Sequence, residues 1–484
     1  MGGATVELQA LEIRTIESAG LDFWMTSVIR ECDRVQNELA PDPIHDLRVA
    51  LRRCRSMADG YMAFDPHPAW KQMKDEGRRL FQQLGALRDT QVMLAWNEKL
   101  ASSADAASFA LNRHLTYEEG RLKEGASEAI RRFNRKKWLA WTKLLGKHAL
   151  RVPAGSLAFH HLALERWSEV HHLHRQALRN RSHIGYHRLR IGLKKFRYTI
   201  ENFLPDLHSL WGPELKELQD LLGEVHDLDV LWRTAVLIKA FPGDPARLEW
   251  RQRIEDERFW RLQSYHARMT GKASLLSAWR SGLPAADRIQ PALLARIGSW
   301  AAYRDPDSAS STHVAGLALQ LYDGLDSLGL IPEGVLPNAR FMLNAAAVAQ
   351  KVGISRARKK HQIHSYRIIR RLKPQTGCDA ECLRYMALVA RFHRGSLPRP
   401  GQKAFAGMSG DVKSLVFMLC GILRLANSFD VPRQRRINRL ELKRQGDVLI
   451  VTAPGYSAND KMAERLAAAR HLLESCLRLP ILIG

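Results

Sequence analysis

Four residues of the stretch IHDLRVALRRCRS, namely His45, Arg48, Arg52 and Arg55, recur in YHRLRIGLKKFRY as His187, Arg190, Lys194 and Arg197. In both stretches the basic groups fall three, seven and ten residues after the histidine. At about 100° per residue such a set occupies an arc of roughly 80° on one face of an α-helix. Guanidinium and ammonium groups held in register are suited to one kind of chemistry: they donate charge-assisted hydrogen bonds to oxyanions, forked in the case of arginine. The histidines serve the same end uncharged, because a neutral imidazole still donates one hydrogen bond. The competing reading makes His45 and His187 packing residues bonded to a neighbouring helix. Arg53 and Lys195 extend the stripe at its edge.

The opposite side of each segment is apolar, with Leu47, Leu51 and Cys54 in the first and Leu189, Leu193 and Phe196 in the second. Each is therefore amphipathic, with a core stripe and a cationic stripe. An ordinary solvated face mixes signs, and carboxylates one turn away relieve like-charge repulsion. Here no acid follows Asp46 until Asp59, nor Tyr186 until Glu201. Unrelieved cations on rigid helices lower stability, and their duplication favours a site that waits for a polyanion over a plain solvated face. A second pair of matching segments follows: LGALRDTQV from Leu84 and LGEVHDLDV from Leu222 share a Leu-Gly pair, an aspartate (Asp89 or Asp227) and a valine. Two motifs that recur in the same order define an internal duplication. Asp89 and Asp227 read as groups that orient an arginine or cap a helix rather than as acid/base catalysts.

The elements that must hold these stripes are helices. Apolar residues recur at three- and four-residue spacing along most of the chain, and strand-like alternation is confined to LELKRQGDVLIVTAPG, which reads as one hairpin around Gln445-Gly446-Asp447. The expected fold class is mostly α. Prolines and an Asp/Ser cluster between residues 281 and 311 mark a domain boundary. This gives residues 1–285 as a domain of two helical repeats, about 10–150 and 151–285, residues 286–310 as a linker, and residues 311–484 as an all-helical domain with a small C-terminal β-hairpin.

Composition narrows the partner class. Lys+Arg number 74 against 50 Asp+Glu, a formal charge of +24 carried by both halves of the chain, which points to a polyanion or an anionic surface. Phe196 and Tyr198 lie near the second stripe and the first has no aromatic before Tyr61, so the stacking platforms of single-stranded nucleic-acid binders are not evident. The sequence carries no Walker A loop, Gly-x-Gly-x-x-Gly turn, zinc finger, RNP-like strand or recognisable helix-turn-helix. Its six cysteines are too few and too scattered for a disulfide framework, and Cys378 and Cys382 lack a second pair for zinc. Most are expected to be buried thiols in a reducing compartment. The start of the chain lacks a basic n-region and an apolar h-region, and no later run is apolar for the ~18 residues a membrane span needs. A soluble, cytoplasmic protein without metal or cofactor is the expectation.

The doubled HDLRVALRR with LGALRDTQV and HRLRIGLKK with LGEVHDLDV resembles the CHAD domain, the conserved histidine α-helical domain, across roughly residues 10–285. The resemblance implies two helical bundles related by pseudo-twofold symmetry, whose basic helices line a groove or pore that binds inorganic polyphosphate. It also implies an association with polyphosphate granules. Carried over by position, it implies His45, Arg48, Arg52, Arg53, Arg55 and Arg88 as ligands in the first repeat, with His187, Arg190, Lys194, Lys195 and Arg197 in the second. His226 stands where the first repeat has Arg88, which implies weaker or pH-dependent binding by the second half. A flexible chain of phosphates has no bases to read, so repeated Arg and Lys groups suit it better than aromatic platforms.

From about Ile297 the segments SSTHVAGLALQLYDGL, LNAAAVAQKVGIS, HSYRIIRRLK, VARFHRG and LCGILRLANSFD resemble the helical, HD-related C-terminal part of the exopolyphosphatase/guanosine pentaphosphate phosphohydrolase family. The actin-like nucleotide-binding domain that carries catalysis in that family has no counterpart here. HD phosphohydrolases hold a divalent metal with a His, a His-Asp pair and a distal Asp. Only His313 matches; Gln350-Lys351 stands at the His-Asp position and Asn427 at the distal Asp. A lysine at a ligand position repels a metal ion, so the resemblance implies a domain that has lost catalysis. His364, Ser365, His393 and Arg394 occupy family-like positions, as cleft or as packing residues. Arg356, Arg358, Lys359, Lys360, Arg367, Arg370, Arg371 and Lys373 follow with no acid among them, and read as a second phosphate track rather than a solvated face. The expected function is non-catalytic polyphosphate binding, with a degenerate HD-like module as an additional binding or regulatory element. The alternatives are a nucleic-acid binder using the same cations and a metal-dependent phosphohydrolase of polyphosphate or an alarmone.

Overall fold

The apolar stripes find partners twice over in the first of two units, residues 1–285. In the computed structural model, which describes residues 20–37, 41–102, 105–430, 435–458 and 461–484, this unit contains helices α1 (Leu21–Asn37), α2 (Pro41–Tyr61), α3 (Ala69–Leu100), α4 (Ala106–Arg132) and α5 (Arg135–Ala149). They are followed by α6 (Leu157–Asn180), α7 (His183–Phe203), α8 (Pro205–Leu237), α9 (Asp244–Met269) and α10 (Leu275–Ser281). The first-repeat readings at residues 10–19, and that of the chain start, lie outside the described residues. Packing repeats in order: α1 on α2, α2 on α3 and α3 on α4 are matched by α6 on α7, α7 on α8 and α8 on α9. The repeats meet through equivalent helices, α2 against α7 and α3 against α8, which is the pairing a pseudo-twofold axis produces.

Each basic helix is held by its apolar side. Leu47, Leu51 and Cys54 of α2 and Leu189, Leu193 and Phe196 of α7 are fully buried, each large apolar side chain contributing about 1.5–3 kcal/mol. Ser182 caps α7 by accepting from the Gly185 backbone N–H, and Asp105 caps α4 by accepting from Ala107 and Ser108. Where the repeats join, Phe159 and Phe203 stack with ring centroids 4.0 Å apart, and Tyr61 meets both edge-on. Gly60 makes that approach feasible, because a Cβ there would lie 2.2 Å from the Phe203 ring. Along α3, α4, α8 and α9, Met93, Leu111, Leu115, Leu228, Leu231 and Trp250 form a second apolar cluster. The two basic helices are thus clamped by apolar packing that leaves their polar faces fixed.

The second unit, residues 286–484, comprises α11 (Ile289–Ala302), α12 (Ser308–Ser327), α13 (Ala339–Ala349), α14 (His361–Ile369), α15 (Ala380–Phe392) and α16 (Gly410–Phe429), then β1 (Glu441–Gln445), β2 (Val448–Thr452), α17 (Lys461–Leu477) and β3 (Ile481–Ile483). Helix α16 is central, packing on α12, α15 and α17. It has the length and composition of a membrane span, contrary to the sequence reading, but 61% of that window is buried within this unit, where Leu419, Ile422 and Leu423 join the core. The hairpin of β1 and β2 turns at Gly446-Asp447, with Gln445 opposite Val448 and φ +59° at Gly446.

Three other expectations are corrected. Residues 286–310 are not a linker: α11 lies within them and buries Leu293, Ile297 and Trp300 in the second unit's core. Pro291 misled because it sits in the first turn of α11, where a missing N–H is harmless. The hairpin is part of a three-stranded sheet, with β3 parallel to β2; three residues are too few to show alternation. Cys378 and Cys382 are joined by a disulfide, whereas Cys32, Cys54 and Cys420 are buried thiols.

A candidate anion-binding site between paired helices

Because α2 packs on α7 and α3 on α8, the equivalent basic residues are brought to one place. A cavity of about 450 Å³ is lined by Arg48 of α2, Arg190 and Lys194 of α7, Phe81, Gly85 and Asp89 of α3, and His226 and Asp227 of α8. No ion pair or hydrogen bond joins these cations and carboxylates among the described residues. Arg48 Nη1 and Arg190 Nε are buried without a hydrogen-bond partner, a state that invites an external acceptor. Aromatic rings steer the guanidiniums: Arg48 and Arg55 lie 5.3 Å and 4.4 Å from the Phe81 centroid, and Arg52 lies 5.8 Å from that of Tyr198.

The Leu-Gly pair of the first repeat acquires a physical reason here. A Cβ on Gly85 would lie 3.2 Å from Arg48 Nη1, and one on Gly223 would lie 4.0 Å from Arg190 Nε. Gly85 leaves the gap through which Arg48 crosses α3, whereas a Cβ on Gly223 would make only ordinary contact with Arg190. Gly85→Ala is therefore expected to stabilise α3 by up to about 1 kcal/mol through helix propensity, while displacing Arg48 and weakening anion binding several-fold. Thermal unfolding paired with a binding titration measures both; a stabilised variant of unchanged affinity would show that the gap does not position Arg48.

The electrostatics are those of a crowded, partly desolvated site. Burial, then Arg190 and Arg52, pull the Lys194 ammonium down to about 8. Burial also pushes the Asp227 carboxyl up to about 6, with Asp89 adding to the rise and Arg190 and Lys194 opposing it. Asp89 is raised for the same first reason. His226 is pulled down to about 4 by burial, Arg190 and His187, so it is neutral near pH 7. The substitution of His226 for Arg88 thus removes a charge rather than adding one that switches near neutrality.

Other sequence candidates fall at different distances from this cavity. His45 is exposed beside Arg52 and Arg88, and partial desolvation and these cations lower its pKa; Arg88 and His187 are also exposed, and His187 lines a separate pocket with His183, His226 and Trp232. Lys195 points away, with Nζ 3.1 Å from Glu169 of α6, and Arg197 lies 3.7 Å from Glu201 one turn along α7. Arg53 is a correction: it is buried, with Nη2 2.5 Å from Glu201 and Nη1 donating to Asn202 Oδ1 at 3.1 Å. Its place on the helical wheel is the flank opposite Arg55, and that flank is covered because α2 packs on both α1 and α7. The aromatic floor at Phe81 was missed; its signal was the four-residue spacing of Phe81, Gly85 and Asp89 on α3.

In the second unit, His313, Lys351 and Asn427 of the HD-like positions are half-buried and Gln350 is buried. Gln350 is fully buried with neither amide atom hydrogen-bonded, and His313 Nε2 also lacks a partner. Lys351 Nζ donates to Ser310 Oγ at 2.7 Å, and Ser310 in turn donates to Asp430. Among the described residues no three His, Cys, Asp or Glu side chains converge as a metal site requires. Ser365 is structural, its hydroxyl accepting from Gly353 N at 2.9 Å and donating to Gln350 O at 2.7 Å. Buried His393 faces His361, which sequence reasoning missed, with their Nε2 atoms 3.3 Å apart. Arg356, Arg358, Lys359 and Lys360 are exposed before α14, and Arg367, Arg370, Arg371 and Lys373 are exposed on its far end and beyond.

Two family models match the chain: the CHAD domain over residues 26–236 and the Ppx/GppA phosphatase, domain III, over residues 302–463. No curated protein matches. Among solved structures, the crystal structure of the CHAD domain from the plant Ricinus communis is similar, at 22% identity over 56% of this chain and 94% of that one, with a TM-score of 0.38.

Proposed function

We propose that the first unit binds inorganic polyphosphate in the cavity between α2, α3, α7 and α8 without hydrolysing it, and that the second unit is a degenerate HD-like module offering further cationic surface. One observation carries the reading most: Arg48, Arg190 and Lys194, drawn from both repeats, line one cavity with buried guanidinium nitrogens that have no protein acceptor. Phosphate oxygens supply such acceptors. The matches to a CHAD domain and to a phosphatase of the Ppx/GppA type support a polyphosphate-related role. Against catalysis by the second unit stand Gln350, Lys351 and Asn427 at the metal-ligand positions, and the engagement of the Lys351 ammonium with Ser310.

The test is a competition titration of the full chain with long-chain polyphosphate against duplex DNA and RNA at near-physiological salt, with and without Mg²⁺ or Mn²⁺. Polyphosphate is expected to remain bound in excess nucleic acid, with no phosphate released in either metal. Preference for nucleic acid would overturn the ligand, and metal-dependent release would overturn the non-catalytic assignment. Salt sensitivity alone does not discriminate, since counterion release accompanies any polyanion.

A further inference from the structure

The two carboxylates of the cavity are unexpected in an anion site. Asp89 and Asp227 come from equivalent places on α3 and α8 and line the same space as Arg48, Arg190 and Lys194, yet neither reaches an ion-pair contact with them. An arginine-orienting carboxylate would touch its arginine; here Arg48 Nη1 and Arg190 Nε are left without acceptors. The carboxylates instead share with the cations the lining of a cavity of about 450 Å³.

We propose that Asp227, backed by Asp89, couples anion binding in this cavity to the uptake of one proton: the carboxylate balances the cations of the empty cavity, and the protonated carboxyl donates its O–H to an oxygen of the bound phosphate. The proton comes from solvent and stays on the carboxyl, so no bond in the ligand breaks. The proposal rests on the reading of the cavity as a phosphate site. The groups facing Asp227 favour this coupling. Arg190 and Lys194 approach from α7 and Arg48 from α2, while Asp89 opposes from α3. On its own helix Glu224 adds negative charge, but Arg261 of α9 holds it at 2.5 Å, and the adjacent His226 is neutral near pH 7. Burial and Asp89 already push the Asp227 carboxyl up to about 6. A phosphate brought between these groups adds a further negative charge and raises it again.

The sign follows. Below the free-site value the carboxyl is already protonated and binding takes up nothing; above it, each pH unit weakens binding by up to about tenfold until the value in the complex is reached. Long-chain polyphosphate is the probe, because its internal phosphates stay fully ionised across this range and leave the protein as the source of the linkage. Titration calorimetry near pH 7 in buffers of different ionisation enthalpy counts the protons directly. Wild type is expected to bind about tenfold more weakly at about pH 7.5 than at about pH 6 and to take up a sizeable fraction of a proton. Asp227→Asn should remove most of both effects, leaving the small share due to Lys194, which lies at about 8 in the free site, and should bind more tightly than wild type at the higher pH. Asp89→Asn, which removes the opposing charge, should keep a smaller pH dependence. Proton uptake absent in wild type, or an Asp227→Asn variant that keeps the pH dependence or binds more weakly at both pH values, overturns the coupling. If Asp227→Asn does not fold, the wild-type and Asp89→Asn proton counts still decide. If wild type fails to bind polyphosphate even at the lower pH, the phosphate-site reading itself falls, and the coupling with it.

Discussion

Alanine at both Arg48 and Arg190 is expected to weaken long-chain polyphosphate binding by roughly 10²–10⁴-fold, since each charged hydrogen-bonding group contributes about 1.5–3 kcal/mol when its partner is an anion. These two arginines are equivalent in the two repeats, line one cavity and carry buried nitrogens without acceptors. The same double variant should not lose stability. Burial and the nearby Arg52 and Arg88 already lower the Arg48 pKa, with Asp89 opposing, so the charged side chain is a liability in the empty protein. A rise of a few degrees in thermal midpoint is the expected companion, as at other sites where function opposes stability. The salt dependence should flatten as well, because fewer counterions are exchanged. Retained affinity, with helical circular dichroism unchanged, would remove the cavity as the site and shift attention to the exposed cations between Arg356 and Lys373 of the second unit.

The sequence made the cavity's cations legible because they obey one rule. Residues at three, seven and ten positions from a histidine share a helix face, and a motif that occurs twice with an apolar stripe behind it fixes which face is buried. Phe196 and Cys54 lie in the core as the periodicity requires, and Arg48, Arg190 and Lys194 share the polar side. What was not legible is what depends on the third dimension. Arg53 differs from Arg52 by 100° on the wheel, and whether that flank is wet or dry depends on which helix packs beside it. Asp89 and Asp227 lie far from each other in sequence, so their meeting in one space, where burial raises both carboxyls and Asp89 adds to the rise at Asp227, could not be read from either motif. The misread linker has the opposite cause. A proline in the first turn of α11 looks the same in sequence as one in a loop, and only the burial of Trp300 and Ile297 distinguishes them.

Arg53 yields the sharpest separation between a ligand and a structural cation. Arg53→Ala is expected to destabilise the first unit by about 3–5 kcal/mol, because removing one member of a buried pair leaves the other charge uncompensated. Its side chain and that of Glu201 are 7% and 6% exposed, with 2.5 Å between nitrogen and oxygen. Beyond the pair, its Nη1 donates to Asn202, and its guanidinium lies 5.2 Å from the Trp24 ring centroid. Glu201 and Asn202 belong to α7 whereas Arg53 belongs to α2, so the loss falls on the contact that joins the two repeats. For a unit of this size the thermal midpoint should fall on the order of 10 °C. Affinity for polyphosphate, measured at a temperature where the variant is folded, should change by less than about twofold, because Arg53 presents no free donor to the cavity. Replacing both partners with apolar residues, Arg53→Met with Glu201→Leu, should recover much of the loss, since an exchanged buried pair is often near neutral. Recovery stays incomplete because Arg197 also leans on Glu201 at 3.7 Å. An Arg53→Ala protein of wild-type stability whose affinity falls tenfold or more would return Arg53 to the ligand set and show that the helix pair opens to admit the polyanion.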